Sequence, residues 1–146
     1  MRMSRGMTVD SGAADNVMPR KMIRGFLNMI RASAGSKAGV HYVAANNGRI
    51  PNEGECDFTF VTDGGQEETW TFQVAAVNKA LCAVSYLVDH GYRVIFDRDD
   101  ATGVDTSHIL NKATGKTINM VREKNVWTID AFIDEEDKKA PFARRG

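Results

Sequence analysis

Cysteine is scarce in this chain, and its scarcity limits how the fold can be held together. Only two cysteines, Cys56 and Cys82, occur among 146 residues. Their spacing fits no metal site, and each lies in an apolar stretch, so we expect two buried thiols rather than a disulfide. The chain must then rely on a hydrophobic core, and a chain of this length can bury roughly 70% of its unfolded surface.

An excess of charge is also missing. The sequence has 19 basic and 19 acidic residues, which leaves no net charge. This balance disfavours nucleic acid and anionic membranes as partners. No apolar run approaches the ~18 residues of a membrane span, and no hydrophobic signal core follows the N-terminus. We therefore expect an intracellular, cytoplasmic protein with one domain over residues 1–133 and a charged, disordered tail over residues 134–146.

Patterns for metal or cofactor chemistry are absent from the sequence as well. His41, His90 and His108 lack ligand-like spacing, so we expect neither a metal nor another cofactor. Cys82 or Ser85 could be combined with these histidines into a nucleophilic triad on paper. No nucleophile elbow supports such a triad, and we do not expect one.

What the chain does have is many short segments in which apolar and polar residues alternate. Apolar residues alternate over 56–60 and 70–74, on either side of the turn Asp63-Gly64-Gly65. Alternation with a period of two is typical of half-buried strands. Such segments recur at roughly 8–12-residue spacing, so the sequence predicts a mostly-β protein with a closed barrel or sandwiched sheet.

Two segments predict short helices. Met18, Met22, Phe26 and Ile30 recur at four-residue spacing, which indicates an amphipathic helix that begins near Pro19. Residues 81–90 fit a second helix, and the glycine that follows is typical of a helix end.

The tripeptide Asp10-Ser11-Gly12 occurs once and carries most of the functional information. A short apolar strand leads into it, and alanines follow it. Asp-Ser-Gly is common turn chemistry, so one interpretation is an aspartate that bonds its own backbone. The other is the catalytic turn of an aspartic protease. In that case Gly12 exposes N–H groups that hold the carboxylate, and the Ser11 hydroxyl ties two such turns together.

A single aspartate of this kind requires two chains. Two carboxylates near ~3 Å cannot both ionise, so one keeps a proton. The ionised carboxylate removes a proton from water, and the protonated one donates to the peptide carbonyl. Since the chain has one such triplet, the hypothesis demands a homodimer.

Four segments resemble the retropepsin-like aspartic proteases, most closely the protease segment of copia-type retrotransposon polyproteins. Residues 9–18, Val-Asp-Ser-Gly-Ala-Ala-Asp-Asn-Val-Met, are similar to the acid-Ser-Gly-Ala turn of that family and to the methionine-ending segment after it. Residues 79–87 resemble its helix entry, residues 91–96 its Gly-Tyr-x-Val-x-Phe strand, and residues 125–130 its closing strand. The resemblance covers most of the chain, and the segments come in the family's order.

The resemblance implies a homodimeric endopeptidase with one catalytic aspartate per chain, a cleft across the interface and a flap hairpin over it. It implies a polypeptide substrate, cleaved during retroelement polyprotein processing. Asp10, Ser11 and Gly12 would form the catalytic turn, and the flap would fall near residues 42–51. The residues expected to bind substrate are Ala13, Asp15, Ala45, Asn46, Asn47 and Gly48.

A second hypothesis stays open. Asp15 could be a polar wall of the cleft or an acid at the start of a helix. The chain has Cys82-Ala83 where these proteases often carry an apolar residue and glycine, and only nine residues precede Asp10. The alternative function is therefore a catalytically inactive β-domain of the same ancestry that serves dimerisation or peptide binding.

Overall fold

The computed structural model describes residues 6–43 and 47–132, with the backbone alone described for residues 24–28. The predicted tail over residues 134–146 lies outside the described residues, as do Ala45 and Asn46. The described part is mostly β, as the sequence predicts. Its strands are β1 Met7–Asp10, β2 Val17–Pro19, β3 His41–Val43, β4 Arg49–Pro51, β5 Glu55–Thr62, β6 Glu67–Ala75, β7 Ala80–Ala83, β8 Tyr92–Ile95, β9 His108–Asn111, β10 Thr117–Asn119, β11 Val121–Glu123, β12 Val126–Ile129 and β13 Ala131–Phe132.

Three sheets organise these strands. The largest has eight strands in the order β11-β12-β1-β7-β2-β6-β5-β13, the second has the order β10-β9-β8, and β3 pairs with β4 alone. Among the described residues, β11 and β13 remain edges of the large sheet, so the sheet is not closed into the expected barrel. The strand β1 lies inside the large sheet, antiparallel to β12 and parallel to β7.

The core follows from the alternation in β5 and β6. These strands pair antiparallel with Cys56 opposite Phe72 and Phe58 opposite Trp70, and all four side chains are buried. Phe60 meets the Trp70 ring edge-on, with centroids 4.9 Å apart, a favourable aromatic geometry. Cys56 and Cys82 are both free and buried, as the sequence predicts.

The helices differ from the sequence prediction. Met18 and Pro19 belong to β2, and the segment after them, Arg20–Met29, is a 3-10 helix. Met18 is fully buried because β2 runs between β6 and β7, so sheet pairing overrides the helical spacing. A short helix, α1, follows over Ala34–Lys37, with Ser33 as its N-cap.

The second predicted helix is shorter than expected. Its first residues, 81–83, belong to β7, which spans Ala80–Ala83, and α2 spans only Val84–Asp89. Leu81 and Cys82 pair with β1, so they are held by the sheet before the helix begins. None of the helices over residues 6–43 and 47–132 has the length and apolarity that a bilayer crossing requires.

Candidate functional site

Asp10 is the last residue of β1, in the interior of the large sheet. Met7 and Val9 are buried on one face, so Thr8 and Asp10 point to the other face. Asp10 lies opposite Ala83, where β7 ends and α2 begins. The sheet therefore delivers a partly exposed carboxylate to the point where two parallel strands end.

The turn after Asp10 holds its carboxylate. The backbone N–H of Gly12 donates to Asp10 Oδ1 at 2.8 Å. A Cβ atom at Gly12 would lie 3.3 Å from the same oxygen, so a larger residue would crowd the carboxylate. This bond forms in an ordinary Asp turn as well as in a catalytic one, so the surroundings of Asp10 have to distinguish the two interpretations.

A cavity of about 410 Å³ opens beside Asp10. We call its outer wall, formed by Phe96, Asn125, Val126 and Trp127, the aromatic side. Phe96 meets Trp127 edge-on at 5.0 Å between ring centroids, and the guanidinium of Arg122 lies 4.8 Å from the Trp127 ring. The remaining lining residues are Thr8, Val9, Asp10, Ser11 and Lys79.

Trp127 is fixed in place by the loop between β8 and β9. Its indole N–H donates to Asp105 Oδ2 at 3.1 Å, and Asp105 also accepts from the Ser107 N–H at 2.9 Å. Hydrogen bonds with Ser107, and the one from Trp127, keep the pKa of Asp105 below its usual value. The carboxylate thus stays ionised at neutral pH and can continue to accept from the indole.

Lys79 is the only cationic residue that lines this cavity in the described part of the chain, and Asp10 is the only acidic one. Lys79 has no ion-pair partner among residues 6–43 and 47–132. A ligand side chain in the cavity would therefore meet aromatic edges on one wall and a free ammonium group on another.

A second group of hydrogen-bonding residues is connected through Asp15 to the segment that follows Asp10, and we call Asp15, Tyr42, Asn52 and Gln73 the amide side. The Tyr42 hydroxyl donates to Asp15 Oδ2 at 3.3 Å and accepts from Asn52 Nδ2 at 3.4 Å. Asn52 Nδ2 also donates to Gln73 Oε1 at 2.9 Å, and Asn52 Oδ1 accepts from the Gly54 N–H at 2.8 Å. These contacts connect the β3–β4 hairpin to the segment that follows Asp10.

The environment of Tyr42 favours its neutral form. Burial, followed by the negative charge of Asp15, raises the pKa of Tyr42 to about 12. A neutral phenol is the state that can donate to Asp15. The hairpin therefore keeps its contact with Asp15 throughout the neutral pH range.

The residues singled out by the sequence lie in different places. Asp10, Ser11, Gly12 and Ala13 are consecutive at the end of β1, with Ser11 and Gly12 exposed. Asp15 is exposed and contacts the hairpin through Tyr42. Asn47 has the positive φ of 65° that a turn asparagine accepts, and Gly48 follows it before β4. Ala45 and Asn46 fall outside the described residues.

Sequence reasoning did not find Asn16. Asn16 is only 2% exposed, and its side chain bonds to β7, the neighbour of β1, and to β6. Asn16 Oδ1 accepts from the Ala83 N–H at 2.7 Å, and Asn16 Nδ2 donates to the Thr71 carbonyl at 3.0 Å. An asparagine between a turn and a strand is usually exposed, so nothing in the sequence marks this one as buried.

The described residues contain no group of three or more His, Cys, Asp or Glu side chains arranged to hold a metal ion. Comparison of the chain with protein-family models, with curated proteins and with solved structures gives no match.

Proposed function

We propose that this chain is an aspartic endopeptidase that works as a homodimer, with each copy supplying one Asp10. In this proposal it has a retropepsin-like fold and cleaves polypeptides during retroelement polyprotein processing. The observation that carries the proposal is the position of Asp10. Its carboxylate is partly exposed, is oriented by Gly12 and lines a cavity of about 410 Å³.

In this proposal, the second carboxylate of the catalytic pair comes from a second copy of the chain. Among the described residues that line the cavity, Asp10 is the only acid. A dyad needs two carboxyl groups close enough to share one proton. The Asp10 side chain of another copy, brought up across a two-fold axis, would meet this need, and the exposed Ser11 lies where the two turns would touch.

Each group then has a role in hydrolysis. The ionised Asp10 removes a proton from a water molecule, and the water oxygen attacks the peptide carbonyl. The protonated Asp10 of the other copy donates to the carbonyl oxygen, and the dyad returns a proton to the leaving nitrogen. Gly12 keeps one carboxylate oxygen directed by its N–H bond, and the β3–β4 hairpin, which contacts Asp15 through Tyr42, covers the bound peptide and excludes water.

Replacement of Asp10 tests the proposal. The chain is incubated with an unfolded protein substrate between pH 4 and pH 7, and product is quantified for the wild type and for Asp10→Asn. We expect a loss of at least about 100-fold, because the variant cannot remove the proton from water. Asp63→Asn is the matched control, since Asp63 is an exposed residue of the β5–β6 turn, and it should cleave at the wild-type rate.

Cleavage that is equal in Asp10→Asn and in the wild type would overturn the proposal. If neither protein cleaves, and a pepstatin-type transition-state mimic binds no better than a plain peptide, the inactive β-domain is the better account. Ala83 favours that alternative, since it occupies the position beside Asp10 where related proteases often have glycine, and it is fully buried there.

A further inference from the structure

The asparagine at position 16 occupies a gap in the large sheet. In the antiparallel pair of β2 and β7, Val17 lies opposite Leu81, so residue 15 would lie opposite Ala83 if β2 continued toward its N-terminus. In the parallel pair of β2 and β6, Val17 lies opposite Gln73, so residue 15 would lie opposite residue 71. The strand β2 instead begins at Val17, so residue 15 lies outside the sheet, and Asp15 is exposed.

The Asn16 side chain makes the two hydrogen bonds that this missing backbone would make. Its Oδ1 accepts from the Ala83 N–H at 2.7 Å on β7, and its Nδ2 donates to the Thr71 carbonyl at 3.0 Å on β6. A peptide group presents the same pair, one carbonyl acceptor and one N–H donor. The backbone carbonyl of Asn16 accepts from the Gln73 N–H at 2.8 Å, which fixes the residue from a third direction.

We propose that Asn16 is a positioning residue for Asp10: its amide replaces a peptide group between β6 and β7 and holds Ala83, the residue opposite Asp10. The role in catalysis rests on the proposed endopeptidase function. Residues 11–15 are thereby released from the sheet to form the turn, while the strands beneath the turn stay joined. Without this amide, the Ala83 N–H would lose its bond, and the gap between β6 and the end of β7 would be bridged only by the bond from the Thr71 N–H to the Tyr86 hydroxyl of α2 at 2.9 Å among the described contacts. The end of β7 next to Asp10 would then be held less firmly.

The substitution Asn16→Asp tests the claim because its hydrogen bonding depends on pH. A protonated carboxyl group has one acceptor and one donor and so reproduces both bonds of the amide. An ionised carboxylate is an acceptor only, and its negative charge would face the Thr71 carbonyl oxygen. Burial disfavours this ionised form, so the introduced group should titrate above the usual range of an aspartate.

The surroundings contain other titratable groups that the test must separate. Asp15 is adjacent in sequence, and Asp57 accepts from the Thr71 hydroxyl. A cavity of about 190 Å³ is lined by Asn16 together with Tyr86 and Asp89 of α2 and with His90, which follows α2. All of these are present in the wild type and in the variant. The ratio of variant to wild type at each pH therefore removes their contribution, together with that of Asp10.

The first measurement is the ratio of kcat values across pH 4 to pH 7. We expect Asn16→Asp to approach wild-type kcat at the acidic end and to fall about tenfold or more below it at pH 7, with KM changed less than kcat. Asn111→Asp is the matched control. The Asn111 side chain only accepts, from the N–H groups of Ala113 and Thr114, so a carboxylate serves equally well there and the ratio should stay flat.

The second measurement does not depend on cleavage. Backbone amide signals of Ala83 and Gly12 are followed by NMR in both proteins over the same pH range. We expect both signals in Asn16→Asp to show an extra titration that the wild type lacks. A kcat ratio that does not change with pH, with an extra titration at Ala83 and none at Gly12, would show that Asn16 is only structural and would overturn the proposal.

The two failures are distinguishable. If the wild type shows no Asp10-dependent cleavage, the endopeptidase function is wrong, and the Gly12 signal alone decides whether Asn16 positions the turn. If Asn16→Asp is unfolded at pH 7 by circular dichroism, Asn16→Ser replaces it. The serine hydroxyl is one bond shorter than the asparagine amide and cannot span both strands, so kcat should fall at every pH, and an unchanged kcat would overturn the positioning role.

Discussion

The aromatic side and the amide side are held together by different kinds of interaction. On the aromatic side, Phe96 and Trp127 meet edge-on and bound a cavity of about 410 Å³. On the amide side, hydrogen bonds connect Asp15, Tyr42 and Asn52 beside a smaller cavity of about 190 Å³. A contact between rings tolerates small shifts, whereas an amide network loses a bond when one partner moves by a few tenths of an ångström.

The two sides therefore differ in what each can contribute to the proposed site. The aromatic side offers space and apolar surface, which suits a variable side chain of a peptide. The amide side fixes the β3–β4 hairpin to Asp15 and, through Asn52, to Gln73 of β6, which suits a constant geometry. We therefore expect the largest loss of stability on the amide side, at the buried Asn52, and, under the proposed function, a change of substrate preference from substitutions at the cavity of about 410 Å³.

The largest expected effect comes from Asn52→Ala. Asn52 is 8% exposed, and its loss would leave the Gly54 N–H and Gln73 Oε1 without their bonds at 2.8 Å and 2.9 Å. Each buried group left unpaired costs about 1–3 kcal/mol, so we expect the free energy of unfolding in urea to fall by about 3 kcal/mol. Asn125→Ala, an exposed asparagine of the aromatic side, should change it by less than about 0.5 kcal/mol. Equal effects of the two variants would contradict the comparison.

A smaller effect is expected from Trp127→Phe. The variant keeps a ring against Phe96 but loses the indole bond to Asp105 at 3.1 Å. The unfolding free energy should fall by about 1 kcal/mol, as for a single partly exposed hydrogen bond. Val126→Thr, at an exposed neighbour, serves as the control. A loss as large as that of Asn52→Ala would show that the aromatic side also carries stability.

Lys79→Glu should change substrate preference rather than stability. Lys79 is exposed at the cavity and unpaired among the described residues, so it can attract an acidic side chain of a peptide. An exposed ion pair is worth about 0.2–1 kcal/mol, which corresponds to a preference of up to about fivefold. In kcat/KM, the wild type should favour glutamate over lysine next to the cleaved bond, and the variant should favour lysine. An unchanged preference for glutamate over lysine would show that Lys79 does not contact this side chain of the substrate.

The smallest effect at neutral pH is expected from Tyr42→Phe, about 0.5 kcal/mol, because its two bonds are long at 3.3 Å and 3.4 Å. A larger difference in stability between the wild type and Tyr42→Phe is expected at alkaline pH. The pKa of Tyr42 is raised to about 12, so the stability gained from the neutral phenol is complete below its ordinary pKa of about 10 and is lost as pH rises toward 12. Stability of Tyr42→Phe should fall less steeply over this interval, and an identical slope would contradict the assignment.

The sequence predicts the two sides unequally. The strands β5 and β6 follow from alternation over 56–60 and 70–74, on either side of a glycine turn. These segments are predictable because burial of alternate residues is a local pattern. The turn at Asp10 is predictable for a similar reason, since acid, hydroxyl and glycine are adjacent in the chain.

The contacts of Asn16 and of the amide side could not be predicted, because they join residues far apart in sequence. Asn16 bonds to Ala83 and Thr71, and Asn52 bonds to Tyr42 and Gln73. Whether an asparagine is buried depends on the strands that surround it, which no local pattern reports. The helix expected from Met18 fails for the same reason, since pairing of β2 with β6 and β7 decides its conformation.

The measurement that tests the account most directly mixes wild-type chain with Asp10→Asn at constant total concentration. If one Asp10 from each of two copies is required, mixed dimers are inactive, and cleavage should fall as the square of the wild-type fraction, to about one quarter in an equal mixture. A fall in direct proportion to the wild-type fraction, to one half in that mixture, would show that a single chain is sufficient and would contradict the shared dyad.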